Sequence, residues 1–232
     1  MPTILNESAP LERYGHNLTR FAKLGAFTPL TGQEEVVDQV FQILQGTKKC
    51  NPVILASDET RRWAIVAEVI RRMAIGDAPD PLPKRQVIAL DYEALFTNLL
   101  DDTLIRQEGS KQMPSTLIEG HAQAKSDVHD AWVLLEKWRA PTMVLERLQS
   151  MFMAMHQAGG TFLLFVDHFH RLVGGEEARY PINAATLVKP ALARHQIQLI
   201  GACTLEQYRR HIERDADLQR RLCREVPLPE GS

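Results

Sequence analysis

NPVILASDETRRWAIVAE, residues 51–68, decides how the rest of the chain is read. Pro52 to Ala56 is a short apolar run with Val and Ile, which fits a strand buried on both faces. Ser57 to Thr60 is polar and turn-forming. From about Arg61 the Ala, Ile and Val residues take helical spacing as far as Gly76, a helix-stop signal. Buried strand, polar turn and helix make the frame on which phosphate-binding loops are built. Here the turn has no glycine, and Trp63 stands where a small hydroxyl residue is wanted.

On either side of this stretch, strand and helix patterns alternate. QVIALDY (86–92), TFLLFVD (161–167) and QIQLIGACT (196–204) read as strands. EEVVDQVFQILQG (34–46) is an amphipathic helix ended by glycine. TMVLERLQSMFMAMHQAGG, AATLVKPALARH and LEQYRRHIERDADLQRRL also read as helices, the last one basic near its end. At the N-terminus, Leu11, Tyr14, Leu18 and Ala22 are spaced as one helix, predicting a linker helix within 1–26. The large domain then covers 27–232, with a polar insertion at about 97–136. Strands that are apolar on both faces and alternate with helices predict a three-layer αβα parallel sheet. In such sheets ligands sit at the carboxyl ends of the strands.

Bulk properties narrow the function classes. A chain of 232 residues suits one α/β domain with a single core. A net charge of −2 gives no global attraction to nucleic acid or an anionic membrane. No apolar run approaches the roughly 20 residues that span a bilayer. The N-terminus lacks the basic-then-apolar pattern of a signal peptide. Cys50, Cys203 and Cys223 are odd in number and lack metal-ligand spacing, which fits reduced thiols and a cytoplasmic location.

The order of the segments resembles the first AAA+ module of the Clp-type unfoldases and disaggregases, the group of ClpB, ClpC and the secretion ATPase ClpV. The residues that carry the resemblance are LERYG and NLT, TPLTGQEEVV, NPVIL, IGDAP, ALDYEAL, LLFVD, LVGG, LVKPALAR and IGACTLEQYRRHIERDADLQRRL. It covers nearly the whole chain apart from roughly 97–136. It implies the large subdomain of a P-loop NTPase of AAA+ type, without the small helical lid.

Against the G-x-x-x-x-G-K-[ST] pattern of a working phosphate loop, the chain offers Ala56, Ser57, Asp58, Glu59, Thr60, Arg61, Arg62 and Trp63. Both glycines of the pattern are replaced, by Ala56 and Arg61. Arg62 stands at the lysine position and Trp63 at the Mg²⁺-binding hydroxyl. A non-glycine residue forced into the left-handed region costs roughly 1–2 kcal/mol. Asp58 and Glu59 bring negative charge toward a polyphosphate. One such pair at 4 Å opposes binding by about 4 kcal/mol at an effective dielectric of 20.

The resemblance assigns further positions. Asp167 matches the acidic residue of the metal shell, and His168 replaces the glutamate that positions the attacking water. Thr204 matches the sensor position, and Arg220 and Arg221 match arginine fingers that reach a neighbouring subunit. Lys137, Trp138 and Arg139 lie near the pore loop that grips unfolded polypeptide. His168-x-His170 invites a metal reading, but no third or fourth ligand is near in sequence, so no metal site is expected.

The reading taken forward is a catalytically degenerate AAA+ domain, a scaffold, regulatory or oligomerisation module with little or no ATP hydrolysis. No cofactor is expected on this reading. The implied partners are a ring of its own copies or of active AAA+ subunits, and a polypeptide substrate; nucleic acid and membrane are not. The alternative is a domain that retains weak ATP or ADP binding with Mg²⁺, or weak hydrolysis. A third option is a different ligand held by Trp63 and the Arg61/Arg62 pair.

Overall fold

The computed structural model describes residues 9–46, 51–96, 142–174, 183–222 and 224–228. Its elements run α1 (Ala9–Arg13), β1 (Gly15–Asn17), α2 (Leu18–Lys23), α3 (Glu34–Gln45), β2 (Pro52–Leu55) and α4 (Glu59–Ile75). Then come β3 (Gln86–Leu90), α5 (Tyr92–Phe96), α6 (142–157), β4 (Phe162–Val166) and α7 (Phe169–Leu172). The last are α8 (Ala185–Ala193), β5 (Leu199–Cys203), α9 (Leu205–His211), α10 (Ala216–Arg221) and β6 (Arg224–Pro227). The insertion and Lys137, Trp138 and Arg139 lie outside the described residues.

The strands form one sheet in the order β1-β3-β4-β5-β2-β6. All neighbours are parallel except β1, which pairs antiparallel with β3. The expected αβα architecture is therefore present. Alternation along the strands splits the core between the two faces. Ile54, Val87, Leu163, Phe165, Ile200 and Ala202 pack with α3 and α4. Val53, Leu55, Leu164, Val166, Leu199 and Cys203 pack with α6 and α8. Both faces are apolar, which is why the strands carry continuous hydrophobic runs instead of alternating patterns.

The structure differs from the sequence reading at both ends. The single linker helix expected over 1–26 is replaced, among its described residues, by two short helices flanking β1. Gly15 lets β1 approach: a Cβ there would meet Ile88 Cγ2 at 2.6 Å and the Ala89 carbonyl at 2.8 Å. Asn17 then caps α2 by accepting from the Arg20 amide at 3.1 Å. Thr19 Oγ1 accepts from the Val87 amide at 2.8 Å, tying α2 to the edge of β3. The basic C-terminal helix is also two helices. Asp215 accepts from the amides of Asp217 and Leu218 and starts α10 afresh. β6, too short to show a clear pattern, was not expected; it joins the sheet beside β2.

Candidate functional site

Because β2, β5 and β4 are parallel neighbours, the segments after them emerge at one edge of the sheet. Ala56 follows β2, Asp167 follows β4 and Thr204 follows β5. This is the edge where such sheets bind ligands.

The phosphate-loop segment turns without the left-handed residues that glycines would supply. Among the described residues, the non-glycine residues with positive φ are His168 and His195, so none lies between Ala56 and Trp63. The chain avoids the left-handed cost by turning differently. Asp58 adopts an extended conformation (φ −81°, ψ 119°) and caps α4, its Oδ1 accepting from the Thr60 amide at 2.8 Å. A carboxylate of the protein thus holds an amide at the helix N-terminus, where a phosphate would otherwise be favoured. Glu59, in the first turn, adds a second negative charge there.

Arg62 is turned inward and is 2% exposed. Its NH1 donates to the carbonyl of Ala56 at 2.7 Å and lies 3.4 Å from that of Ser57. Its Nε lies 3.4 Å from Asp167 Oδ1. The loop therefore presents carbonyl oxygens to a guanidinium, the opposite polarity from amides presented to phosphate. One residue on, Trp63 meets the ring of Phe165 edge-on, with centroids 5.0 Å apart. The indole packs against the α3/α4 face of the core.

Asp167 also receives the amide of His168 at 2.8 Å on Oδ1. His168 is left-handed (φ 48°, ψ 45°) and starts α7. So β4 stops at Val166, and His168 and His170 lie beyond the strand, at the start of α7. The Tyr92 hydroxyl donates to the His168 carbonyl at 3.3 Å, and Arg171 covers the Tyr92 ring. Burial pushes the Tyr92 phenol above its usual range, so it remains a donor. His168 Nε2 lies 3.8 Å from Asp167 Oδ2. Behind it, His170 is 3% exposed and stacks near both His168 and His211. Burial, and then the neighbouring His168, His211, Arg171 and Arg62, push His170 down to about 4, so its ring is neutral at neutral pH.

Thr204 forms a capping box at α9: its Oγ1 accepts from the Gln207 amide at 3.2 Å, and Gln207 Oε1 accepts from the Thr204 amide at 3.1 Å. Arg220 is exposed on the last turn of α10 and pairs with Asp217 at 2.6 Å. Arg221 follows it, and its carbonyl accepts from the Asn51 amide and side chain, fixing α10 to the start of β2. Arg61 is partly exposed on the first turn of α4.

Glu59, a predicted loop residue, joins Asp167 and His168 so that one ligand atom of each lies within 4.8 Å of the others, a grouping the sequence did not show. Tyr92, in the ALDYEAL block, holds the His168 carbonyl. Both placements depend on the fold bringing distant segments together; Tyr92 was not among the predicted site residues, although it lies in the ALDYEAL block.

The chain is 32% identical over 225 residues to the chloroplastic chaperone ClpC of Pisum sativum, a match covering 97% of this chain. It is 32% identical over 213 residues to ClpB 1 of Thermosynechococcus vestitus, covering 92% of this chain. The chain is a Clp-type AAA+ module. It spans about a fifth of the length of these curated relatives, each match covering 20% of the relative. The module also superposes on Hsp104 from Saccharomyces cerevisiae in its ADP complex, with a TM-score of 0.66 and 25% identity. That match covers 96% of this chain and 25% of the Hsp104 chain. A closed-state Hsp104 with ATPγS and FITC casein gives a TM-score of 0.67 at 25% identity, covering 96% of this chain and 31% of that one. No protein-family model matches the chain. Among the described residues, no helix is long and apolar enough to cross a membrane.

Proposed function

We propose that this AAA+ module is catalytically degenerate and serves as a scaffold, regulatory or oligomerisation element with little or no ATP hydrolysis. The observation that carries this is the Arg62 guanidinium buried between the Ala56 carbonyl and Asp167. A working site of this type needs a cation reaching outward to the terminal phosphates and a carboxylate committed to the metal shell. Here the cation faces inward and neutralises that carboxylate. Asp58 caps the helix N-terminus that would receive phosphate, and Trp63 fills the position of the metal-binding hydroxyl. His168 replaces the water-positioning glutamate. The four changes all oppose one reaction, while the core that supports the frame is intact.

On this reading the module assembles, in the cytoplasm, into a ring of its own copies or with active AAA+ subunits that act on polypeptide. Arg220 and Arg221, on the last turn of α10, are the residues offered to a neighbouring subunit. Lys137, Trp138 and Arg139 are the candidate polypeptide contact.

Calorimetric titration with ATP and ADP, with and without Mg²⁺, tests the reading. No binding up to millimolar nucleotide is expected. Micromolar binding abolished by Arg62→Ala would overturn it and favour a weak ATPase in which Arg62 swings out to phosphate. Sedimentation with and without an active Clp subunit tests the assembly.

A further inference from the structure

We propose that Glu59, Asp167 and His168 bind a divalent transition-metal ion without any nucleotide. Of these three donors, Glu59 comes from the phosphate-loop segment and His168 stands where the resemblance puts a glutamate. Their ligand atoms all lie within 4.8 Å of one another and come from three positions, the first turn of α4, the end of β4 and the start of α7. An imidazole with two carboxylates suits zinc and its neighbours in the first transition row, not magnesium, which prefers oxygen and keeps its waters.

The geometry needs little adjustment. Tetrahedral zinc with bonds of about 2.0–2.2 Å places neighbouring donors roughly 3.4 Å apart. His168 Nε2 and Asp167 Oδ2 are already 3.8 Å apart. Glu59 is exposed, so its side chain can close the remaining distance by changing rotamer. His168 is held from behind, its carbonyl by the Tyr92 hydroxyl and its amide by Asp167 Oδ1. Asp167 therefore meets Arg62 and the His168 amide through Oδ1 and leaves Oδ2 for the ion.

A second observation points into the same space. Arg62 is 2% exposed, and its Nε faces Asp167 yet has no hydrogen-bond partner among the described residues. With two carboxylates around a dication, the guanidinium leaves one positive charge unbalanced. A hydroxide or small anion in the fourth position of the metal would balance it and accept from that nitrogen. Beside it, His170 Nδ1 is also buried without a partner, with its ring edge-on to His168 at 5.9 Å between centroids.

The test is titration of the metal-stripped full chain with Zn²⁺ against a chromophoric chelator, with no nucleotide present. One ion per chain is expected, and Glu59→Gln and His168→Gln should each weaken binding by about 10–100-fold or more. His156→Gln, an exposed histidine on α6, should leave it unchanged. Circular dichroism melting confirms that each variant folds. Glu59 is exposed, so its substitution keeps the test decisive if His168→Gln is unstable. Failure of Zn²⁺ to compete with the chelator overturns the proposal. So does binding that neither Glu59→Gln nor His168→Gln weakens, since the ion then sits elsewhere. Neither outcome bears on the scaffold reading, which the nucleotide titration decides.

Discussion

The contact between Arg62 and Asp167 gives the sharpest test of how this site holds itself together. For unit charges 3.4 Å apart, the gross attraction at an effective dielectric of 20 is about 5 kcal/mol. Desolvation offsets much of that, so the net worth of the pair is smaller than the cost of breaking it. Removing one partner of a buried pair costs about 3–5 kcal/mol, because the other charge is left uncompensated. Asp167 keeps 13% of its side-chain surface in solvent, which places the cost near the low end. Arg62→Met should therefore destabilise the chain by about 3 kcal/mol, since the Ala56 carbonyl also loses its donor. Asp167→Asn should cost about 2–3 kcal/mol, with the guanidinium left on the loop carbonyls. The double variant removes both charges and keeps most of the packing volume. It should be less destabilised than the sum by about 2 kcal/mol. Urea unfolding of the four proteins in chelator-containing buffer measures this. Effects that add within about 0.5 kcal/mol would show that the two residues do not act as a pair, and the internal counter-ion argument would fail.

Four further outcomes are expected. Thr204→Ala removes the hydroxyl acceptor of the capping box on α9, leaving the Gln207 amide unpaired, and should cost about 1 kcal/mol in a thermal melt, whether or not nucleotide is added. Gly15→Ala drives a methyl group into Ile88 and the Ala89 carbonyl; it should cost about 1–3 kcal/mol and speed hydrogen exchange in β1 specifically. Trp63→Thr restores the lost hydroxyl but opens a gap against Phe165; it should destabilise by about 2–4 kcal/mol and produce no Mg²⁺-dependent nucleotide binding by calorimetry. Glu68 is held below its ordinary value of 4.5 by its hydrogen bonds to Arg71, then by the amide of Leu30, against the opposing effect of burial. A depressed carboxylate contributes stability that is present above pH 4.5 and lost as the pH falls through the lower folded-state value. Glu68→Gln should therefore be less stable than the parent at neutral pH and show a flatter loss of stability below that point in chemical denaturation.

Sequence and structure agree where one pattern has one physical cause. PVIL, QVIAL, FLLFV and LIGAC are apolar on successive residues because both sides of the sheet are covered, and each is a central strand. α4 was legible from its periodicity and from Gly76, which ends it in the left-handed conformation at φ 83°. β1 was not, because GHN has no strand signal of its own; it is a strand through its register with Ile88 to Leu90 and the missing Cβ of Gly15. The break between α9 and α10 was hidden for a similar reason. Asp215 looks like one more charged residue in a helix until its side chain is seen capping the next one.

The site divides along the same line. Its losses could be counted in sequence, since each was a residue missing from a pattern. What replaced them could not. That Arg62 points inward follows from the loop carbonyls and from Asp167, which the fold supplies from a different strand. A guanidinium at the lysine position is compatible with either orientation. Its long stem and planar fork let it reach phosphate or bridge two protein acceptors. The acceptors decide between them, and here both are within the molecule. The same reasoning explains how, on the degenerate reading, the frame would persist without its chemistry. Ile65, Val66, Val69, Ile70 and Met73 of α4 are buried against the sheet, so packing maintains strand and helix whether or not a phosphate is ever bound. In a nucleotide-binding loop the amides and the lysine are completed by the ligand. On the degenerate reading, Asp58 already accepts from the Thr60 amide and Asp167 already faces the Arg62 cation, so a nucleotide would first have to displace both.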